Sequence, residues 1–142
     1  MARKLALCVF CGLCLLAILT GCVEMDVPLE QLFPPNAGEY LRTSGPMFEP
    51  TNSLQIATYQ TADDYVLLRL RQVGRENIEH SLSVLPQSAV IIGYDPSLGQ
   101  RDGTLFNFGN EYHAAWGNGD WLFILSASSE QARISFLAAY GF

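Results

Sequence analysis

The four residues Gly117-Asn118-Gly119-Asp120 constrain the fold of this chain more than any other feature. They separate two runs rich in aromatic and aliphatic residues, 111–116 and 121–126. An Asn-Gly pair between such runs favours a β-hairpin, because both residues tolerate the positive φ of a tight turn. The sequence therefore predicts two antiparallel strands here.

A second hairpin is predicted upstream. Residues 54–60 and 65–73 are rich in β-forming residues and flank the four-residue connection 61–64. In the second run one face is aliphatic over residues 66–70 and the other carries Leu67, Arg69 and Arg71, which is the period of a half-buried strand. The residues that share this apolar face are Val66, Leu68 and Leu70.

Two segments carry the spacing of helices. Residues 75–85 place apolar side chains on one helical stripe, and Pro86 ends the segment. The last helix is predicted to begin at Ser128, with Gln131 three residues on completing a capping box. Its inward face is predicted to comprise Ile134, Leu137 and Ala138.

These elements predict an α+β fold, an antiparallel sheet with two helices packed on one face. Residues 57–68 and 114–124 share an order of aromatic, turn, aspartate, aromatic and aliphatic residues. One interpretation is a duplicated ββα unit. The other is that the residue preferences of hairpins produced the same order twice by chance. Either way we expect cross-strand aromatic pairs in the two hairpins. The expected pairs are Tyr59 with Tyr65 and Trp116 with Trp121.

The same four aromatic residues, Tyr59, Tyr65, Trp116 and Trp121, are the candidate binding surface. Two helices leave part of the sheet uncovered, and an uncovered face lined by aromatic rings is typical of a binding patch. The alternative is that these rings belong to the core or to hairpin pairs.

Candidate chemistry is confined to Glu111 and His113, which alternate along a strand and so share one face. A carboxylate beside an imidazole can orient a general base, which makes a hydrolase one hypothesis. A catalytic or zinc site needs three or more converging groups, and no third partner is identifiable from the sequence. The alternative is ordinary strand polarity, and we expect no catalytic residue, metal or cofactor.

The first residues have the physical properties of an export signal. Arg3 and Lys4 precede the uncharged apolar run 5–18. This run is shorter than the roughly 20 residues of a membrane-spanning helix and fits a signal-peptide core. The alternatives are an uncleaved membrane anchor and a secretory signal that is cut elsewhere.

The segment Leu19-Thr20-Gly21-Cys22 resembles the lipobox of bacterial lipoproteins. The resemblance implies that residues 1–21 are a signal peptide recognised through Leu19, Thr20 and Gly21. It also implies that Cys22 carries acyl chains such as palmitate. Residues 22–36 are then a tether, and 37–142 form a single α+β domain. In the Gram-negative lipoproteins that this segment resembles, an aspartate after the cysteine implies retention at the inner membrane. If the source is Gram-negative, Val23 at this position favours the periplasmic face of the outer membrane.

The charge of the chain after residue 21 excludes one class of partner. It has six arginines against fourteen carboxylates, a net charge of −8, and the arginines are scattered along the chain. No basic patch for nucleic acid is evident. Cys8, Cys11 and Cys14 have the spacing of metal ligands but lie within the apolar run that the signal peptide would remove.

The leading hypothesis is a membrane-anchored lipoprotein of the cell envelope that acts as a non-enzymatic accessory or interaction module. It would contact the membrane through the acyl chains on Cys22 and bind an envelope protein partner. The first alternative is a periplasmic binding domain for a small apolar or lipidic ligand. The second is a hydrolase that uses His113 and Glu111.

Overall fold

The computed structural model describes residues 27–98 and 103–141. The predictions for the signal peptide, the lipobox and Cys22 lie outside these described residues. In chain order the elements are α1 (Leu29–Leu32), β1 (Asn36–Ala37), β2 (Tyr40–Glu49), β3 (Leu54–Gln60), β4 (Tyr65–Gln72), a 3-10 turn (Arg75–Asn77), α2 (Ile78–Ser83), β5 (Val90–Asp95), β6 (Gly103–Phe108), β7 (Glu111–Asn118), β8 (Trp121–Ala127) and α3 (Glu130–Tyr140).

The strands form one eight-stranded antiparallel sheet in the order β1-β2-β3-β4-β8-β7-β6-β5. It consists of two four-stranded meanders, β1 to β4 and β5 to β8, joined where β4 pairs with β8. The predicted antiparallel sheet and both predicted hairpins are confirmed. The turn between β7 and β8 consists of Gly119 and Asp120, with a φ of 58° at Gly119. The turn therefore lies one residue later than the Asn-Gly pair predicts.

Alternation along β4 defines the two faces of the sheet. Val66, Leu68 and Leu70 are fully buried on one face, as the period of two predicts. We call this the α3 face, because α3 packs on it. Arg69 and Arg71 point to the opposite face, which we call the α2 face.

Helix α3 covers the core with a different stripe from the predicted one. Its buried side chains are Ala132, Arg133, Phe136 and Tyr140. Phe136 packs edge-on against Tyr59, with ring centroids 5.0 Å apart, and against Tyr40. The prediction that Ile134 faces inward is wrong, because Ile134 is 51% exposed. The N-cap is Ser129, whose hydroxyl accepts a hydrogen bond from the backbone N–H of Ala132, and not Ser128.

Helix α2 packs on the opposite face of the sheet. Ile78 is buried against Gly117, where an added Cβ would lie 2.2 Å from Ile78 Cγ2. Gly117 follows Trp116, whose ring lies in the core under α3, so Gly117 belongs to the α2 face. The prediction of two helices on one face is therefore not confirmed.

The positions of the helices also bear on the predicted duplication. If the two ββα units were related by symmetry, a two-fold axis would lie between the neighbouring antiparallel strands β4 and β8. Such an axis is perpendicular to the sheet, so it would place both helices on the same face. The hairpins β3–β4 and β7–β8 do lie side by side, but α2 and α3 contact opposite faces. The whole ββα units are therefore not related by such an axis.

Most of the predicted tether that the structure describes lies against the domain. Leu32 at the end of α1 is 3% exposed, and Phe33 is fully buried in the core. Backbone carbonyls of this segment are also bonded, since the Tyr140 hydroxyl donates to Leu32 O and the Arg42 guanidinium donates to Phe33 O. Residues 27–36 are thus part of the folded body.

Candidate functional site

Two of the four predicted surface aromatics, Tyr59 and Trp116, are core residues with no exposed area. The Tyr59 hydroxyl donates to the Pro34 carbonyl at 3.0 Å, and burial raises the pKa of this phenol to about 12. The Trp116 ring stacks on Phe123, with centroids 5.1 Å apart. Neither ring is available to a ligand, because both fill the core beneath α3.

Tyr65 and Trp121 do not complete a binding surface either. Trp121 is half-buried against the core on the α3 face. Tyr65 is 40% exposed on the α2 face, where its hydroxyl donates to Glu111 Oε1 at 2.7 Å. The expected cross-strand pairs are also wrong, because the register places Tyr59 opposite Val66. In the same way, Trp116 lies opposite Phe123.

The predicted pairing of Glu111 with His113 on one face is confirmed, with 3.8 Å between Glu111 Oε2 and His113 Nε2. The structure adds the third and fourth groups that the sequence analysis missed. Ser126 Oγ lies 2.9 Å from His113 Nδ1, and Arg69 Nη1 donates to Ser126 Oγ at 2.7 Å. Only the register of β4, β8 and β7, which places Arg69 and Ser126 on adjacent strands facing His113, could have identified them.

The hydrogen bonds of this polar cluster assign its protons. The Phe108 carbonyl can only accept and lies 3.3 Å from His113 Nε2, so in the neutral ring the N–H is on Nε2. Nδ1 is then an acceptor, and Ser126 Oγ, which accepts from Arg69, donates its hydrogen to Nδ1. Burial lowers the pKa of His113, and Arg69 lowers it further, while the Phe108 carbonyl and Glu111 oppose these effects. The imidazole is therefore neutral near pH 7.

A serine hydroxyl donating to an imidazole is the starting arrangement of a nucleophile and its base. Here, however, Ser126 has no exposed area, and the Phe106 ring stacks on His113 at a centroid distance of 4.9 Å. A substrate carbonyl cannot reach this hydroxyl in the folded structure. The cluster ties β4, β7 and β8 together in place of an apolar contact. Among residues 27–98 and 103–141, no three His, Cys, Asp or Glu side chains are grouped as metal ligands would be.

The largest run of exposed apolar side chains on a strand lies on β5, the last strand of the sheet. Val90, Ile91, Ile92 and Tyr94 are 45–63% exposed. Val90 pairs with Asn107 and points to the α3 face, whereas Ile91 and Tyr94 point to the α2 face. Strand β5 has β6 on one side only, so its other edge presents unpaired backbone groups. We call this edge, with its exposed side chains, the β5 edge.

A groove of about 500 Å³ adjoins the β5 edge on the α2 face. Its lining residues are Glu79, Leu82, Ser83, Leu85, Ile91, Tyr94 and Thr104. The walls are mainly aliphatic and aromatic, and two of the lining side chains belong to β5 itself. The groove and the edge therefore form one continuous surface.

Residues 89–94 form an apolar run of strand length, but such a run does not show that the strand lies at an edge. Strand order decides which strand is last, and nothing in the local pattern of β5 reveals that order. A strand with apolar residues on successive positions is usually buried on both faces.

No protein family, characterised protein or solved structure matches this chain. In the two described stretches, no helix has the length and apolar character needed to cross a membrane.

Proposed function

We propose that this chain is a lipid-anchored interaction module of the bacterial cell envelope that binds a protein partner through the β5 edge. Acyl chains on Cys22 hold it at the membrane, on the periplasmic face of the outer membrane. The observation that carries the proposal is the exposure of apolar side chains on both faces of an edge strand.

The two edges of the sheet differ in a way that supports a binding role for β5. Native proteins blunt free edges with short strands, prolines, lysines and bulges. At the opposite edge, β1 has two residues and follows Pro34 and Pro35, and β2 contains Pro46 and two register shifts. Strand β5 has six residues, one register shift at Ile92 and no proline.

The chemistry of the β5 edge indicates what the partner contributes. Unpaired N–H and C=O groups accept an extended strand by β-augmentation, and alternate side chains then provide specificity. Because β5 is apolar on both faces, the added strand must also be apolar on both faces. A larger apolar side chain of the partner would enter the groove beside Ile91 and Tyr94.

The proposed anchor limits where the partner can be. The described body begins at Val27, so only residues 22–26 separate Cys22 from it. Fully extended, five residues span roughly 18 Å. The body would therefore be held close to the bilayer surface, and the β5 edge lies at the end of the sheet opposite to β1, the strand that follows this segment.

The anchor is tested by intact mass spectrometry of protein extracted from membranes, beside a Cys22→Ser variant. We expect a mass equal to residues 22–142 plus acyl chains, and we expect this species to be missing from the variant. An unacylated species in both samples would contradict the anchor and leave the β5 edge as the surface of a secreted domain.

The partner surface is tested by chemical crosslinking in cells followed by purification of the chain. An Ile92→Lys variant should lose the crosslinked partner by about tenfold or more, since an edge lysine opposes strand addition. The matched control is Leu41→Lys, which places the same charge at a side chain that is 61% exposed on β2. Equal recovery of the partner with both variants would contradict the proposal.

The ligand-binding alternative rests on the groove of about 500 Å³, whose size is that of a small-molecule site. The hydrolase alternative rests on the contact of Ser126 with His113, and the full burial of Ser126 weighs against it. If a His113→Ala variant kept the crosslinked partner and the cellular phenotype, the hydrolase alternative would be removed.

A further inference from the structure

A second groove, of about 590 Å³, lies on the other side of α2, between this helix and strands β4 and β8. It is lined by Arg71, Gln72, Val73, Asn77, His80, Ser81, Val84, Leu122 and Ile124. We call it the Arg71 groove. It does not include β5, so its occupant is independent of the partner proposed above.

The charge of the Arg71 groove is opposite to that of the molecule. The chain after residue 21 has a net charge of −8, yet no aspartate or glutamate lines this groove. Its ionisable groups are the guanidinium of Arg71 and the imidazole of His80. In a chain with this excess of carboxylates, a cavity whose ionisable lining groups are all basic favours an anion.

Arg71 differs from its neighbour Arg69 on the same face of β4. The Arg69 guanidinium is occupied, because it donates to the buried Ser126 hydroxyl at 2.7 Å. For Arg71 no hydrogen bond or ion pair is found within the described part of the chain, and its side chain is exposed. Its planar guanidinium can therefore bind a carboxylate or phosphate through two parallel hydrogen bonds.

The other side of the groove is apolar. Leu122 and Ile124 of β8 form its floor, and Val73 and Val84 lie at its margins. Val84 is 66% exposed, a large apolar area for an isolated valine after a short helix. An anion held at Arg71 would lie beside this apolar surface. A purely hydrophilic anion would leave the surface exposed to water, whereas an anion with an apolar tail would cover it.

We propose that the Arg71 groove binds an amphipathic anion, with a carboxylate or phosphate head and an acyl tail. The head is held by Arg71, and His80 and Gln72 offer further donors around it, whereas the Asn77 amide already donates to Val73 O and Glu76 Oε1. The tail lies along Leu122 and Ile124. Each methylene buried there tightens binding by up to about fourfold.

The test uses the acylated full-length protein in phosphatidylcholine nanodiscs and a photoreactive twelve-carbon fatty acid as the probe. After irradiation, the labelled peptides are identified by mass spectrometry. We expect labelling of peptides that contain Val84 or Leu122, suppressed by excess dodecanoate but not by dodecanol or inorganic phosphate. Labelling suppressed equally by dodecanol would overturn the anionic head, and suppression by inorganic phosphate alone would overturn the tail.

Variants assign the binding to the groove. Arg71→Gln should reduce the labelling at least about tenfold, because a hydrogen-bonded charge is lost. Arg75→Gln removes the same charge from an exposed residue outside the lining and should change it less than about twofold. Labelling that survives Arg71→Gln, or that maps to β5, would overturn the proposal. Ile92→Lys, which tests the partner surface, should leave the labelling intact.

The source of the anion is distinguished by competition with vesicles. If phosphatidylglycerol vesicles suppress labelling more strongly than phosphatidylcholine vesicles at equal lipid concentration, the head group belongs to a membrane lipid. If free dodecanoate alone suppresses it, the ligand is a free fatty acid. Suppression by neither would overturn the proposal.

Discussion

Ser126 shows how a side chain acquires its role from strand register alone. The positions of Glu111 and His113 on one face could be predicted, because residues two apart on a strand always share a face. The contact of His113 with Ser126 could not, because it depends on which residue of β8 lies opposite. Arg69 is one strand further away and was even less accessible to local reasoning.

Burial of His113 makes the stability of the protein depend on pH. An imidazole in the unfolded chain binds a proton below about pH 6.5, whereas burial lowers the pKa of His113 in the folded chain. The unfolded state then binds more protons than the folded state, so the free energy of unfolding falls as pH drops below about 6.5. Of the two charged groups facing the ring, Glu111 raises the pKa of His113 and Arg69 lowers it.

We therefore predict that thermal unfolding at pH 5.5 occurs at a lower temperature than at pH 7.5, and that His113→Gln removes most of this difference. His80→Gln is the control, because His80 is exposed on α2 and the chain has only two histidines. An equal dependence on pH in both variants would show that His113 is not the responsible group.

At the scale of elements, strands were predicted better than helices. The faces of β4 followed directly from alternation, because its polar and apolar residues alternate without exception over residues 68–71. Helix α3 is apolar almost all round, so its period does not select an inward stripe. The buried stripe is the one that packs Phe136 against Tyr40 and Tyr59. Packing on the sheet, rather than the period of the helix, therefore determines which residues face inward.

The stripe of α3 can be checked by a pair of alanine substitutions. Phe136→Ala should lower the free energy of unfolding by about 3–5 kcal/mol, because it empties a fully buried site. Ile134→Ala should cost less than about 1 kcal/mol, since this side chain is half exposed and alanine favours the helix. Chemical denaturation measures both values. The reverse order would restore the stripe through Ile134 that the sequence predicts.

The packing of α2 depends on the absence of a side chain at Gly117. Gly117→Ala places a Cβ 2.2 Å from Ile78 Cγ2, so α2 must shift away from the sheet. We predict a loss of about 1–3 kcal/mol in the free energy of unfolding. Gly93→Ala is the control, because an added Cβ there meets nothing within 4 Å. Similar unfolding free energies for the two variants would mean that α2 is not held at Gly117.

At the scale of the whole molecule, the order of the strands could not be predicted from the sequence. The hairpins and the antiparallel sheet follow from local patterns, but the pairing of β4 with β8 joins residues about 50 to 60 positions apart. That pairing places β5 at the end of the sheet. It turns an apolar strand, whose sequence is typical of a buried strand, into an exposed apolar edge.

The central claim is that the β5 edge is the surface through which a partner is bound. Site-specific photocrosslinking in cells tests it most directly, with a photoreactive amino acid at Tyr94 on β5 or at Ile134 on α3. Both positions are more than half exposed. The account predicts a discrete adduct with another envelope protein from Tyr94 and none from Ile134. Equal adducts from both positions, or an adduct from Tyr94 only to a second copy of this chain, would contradict it.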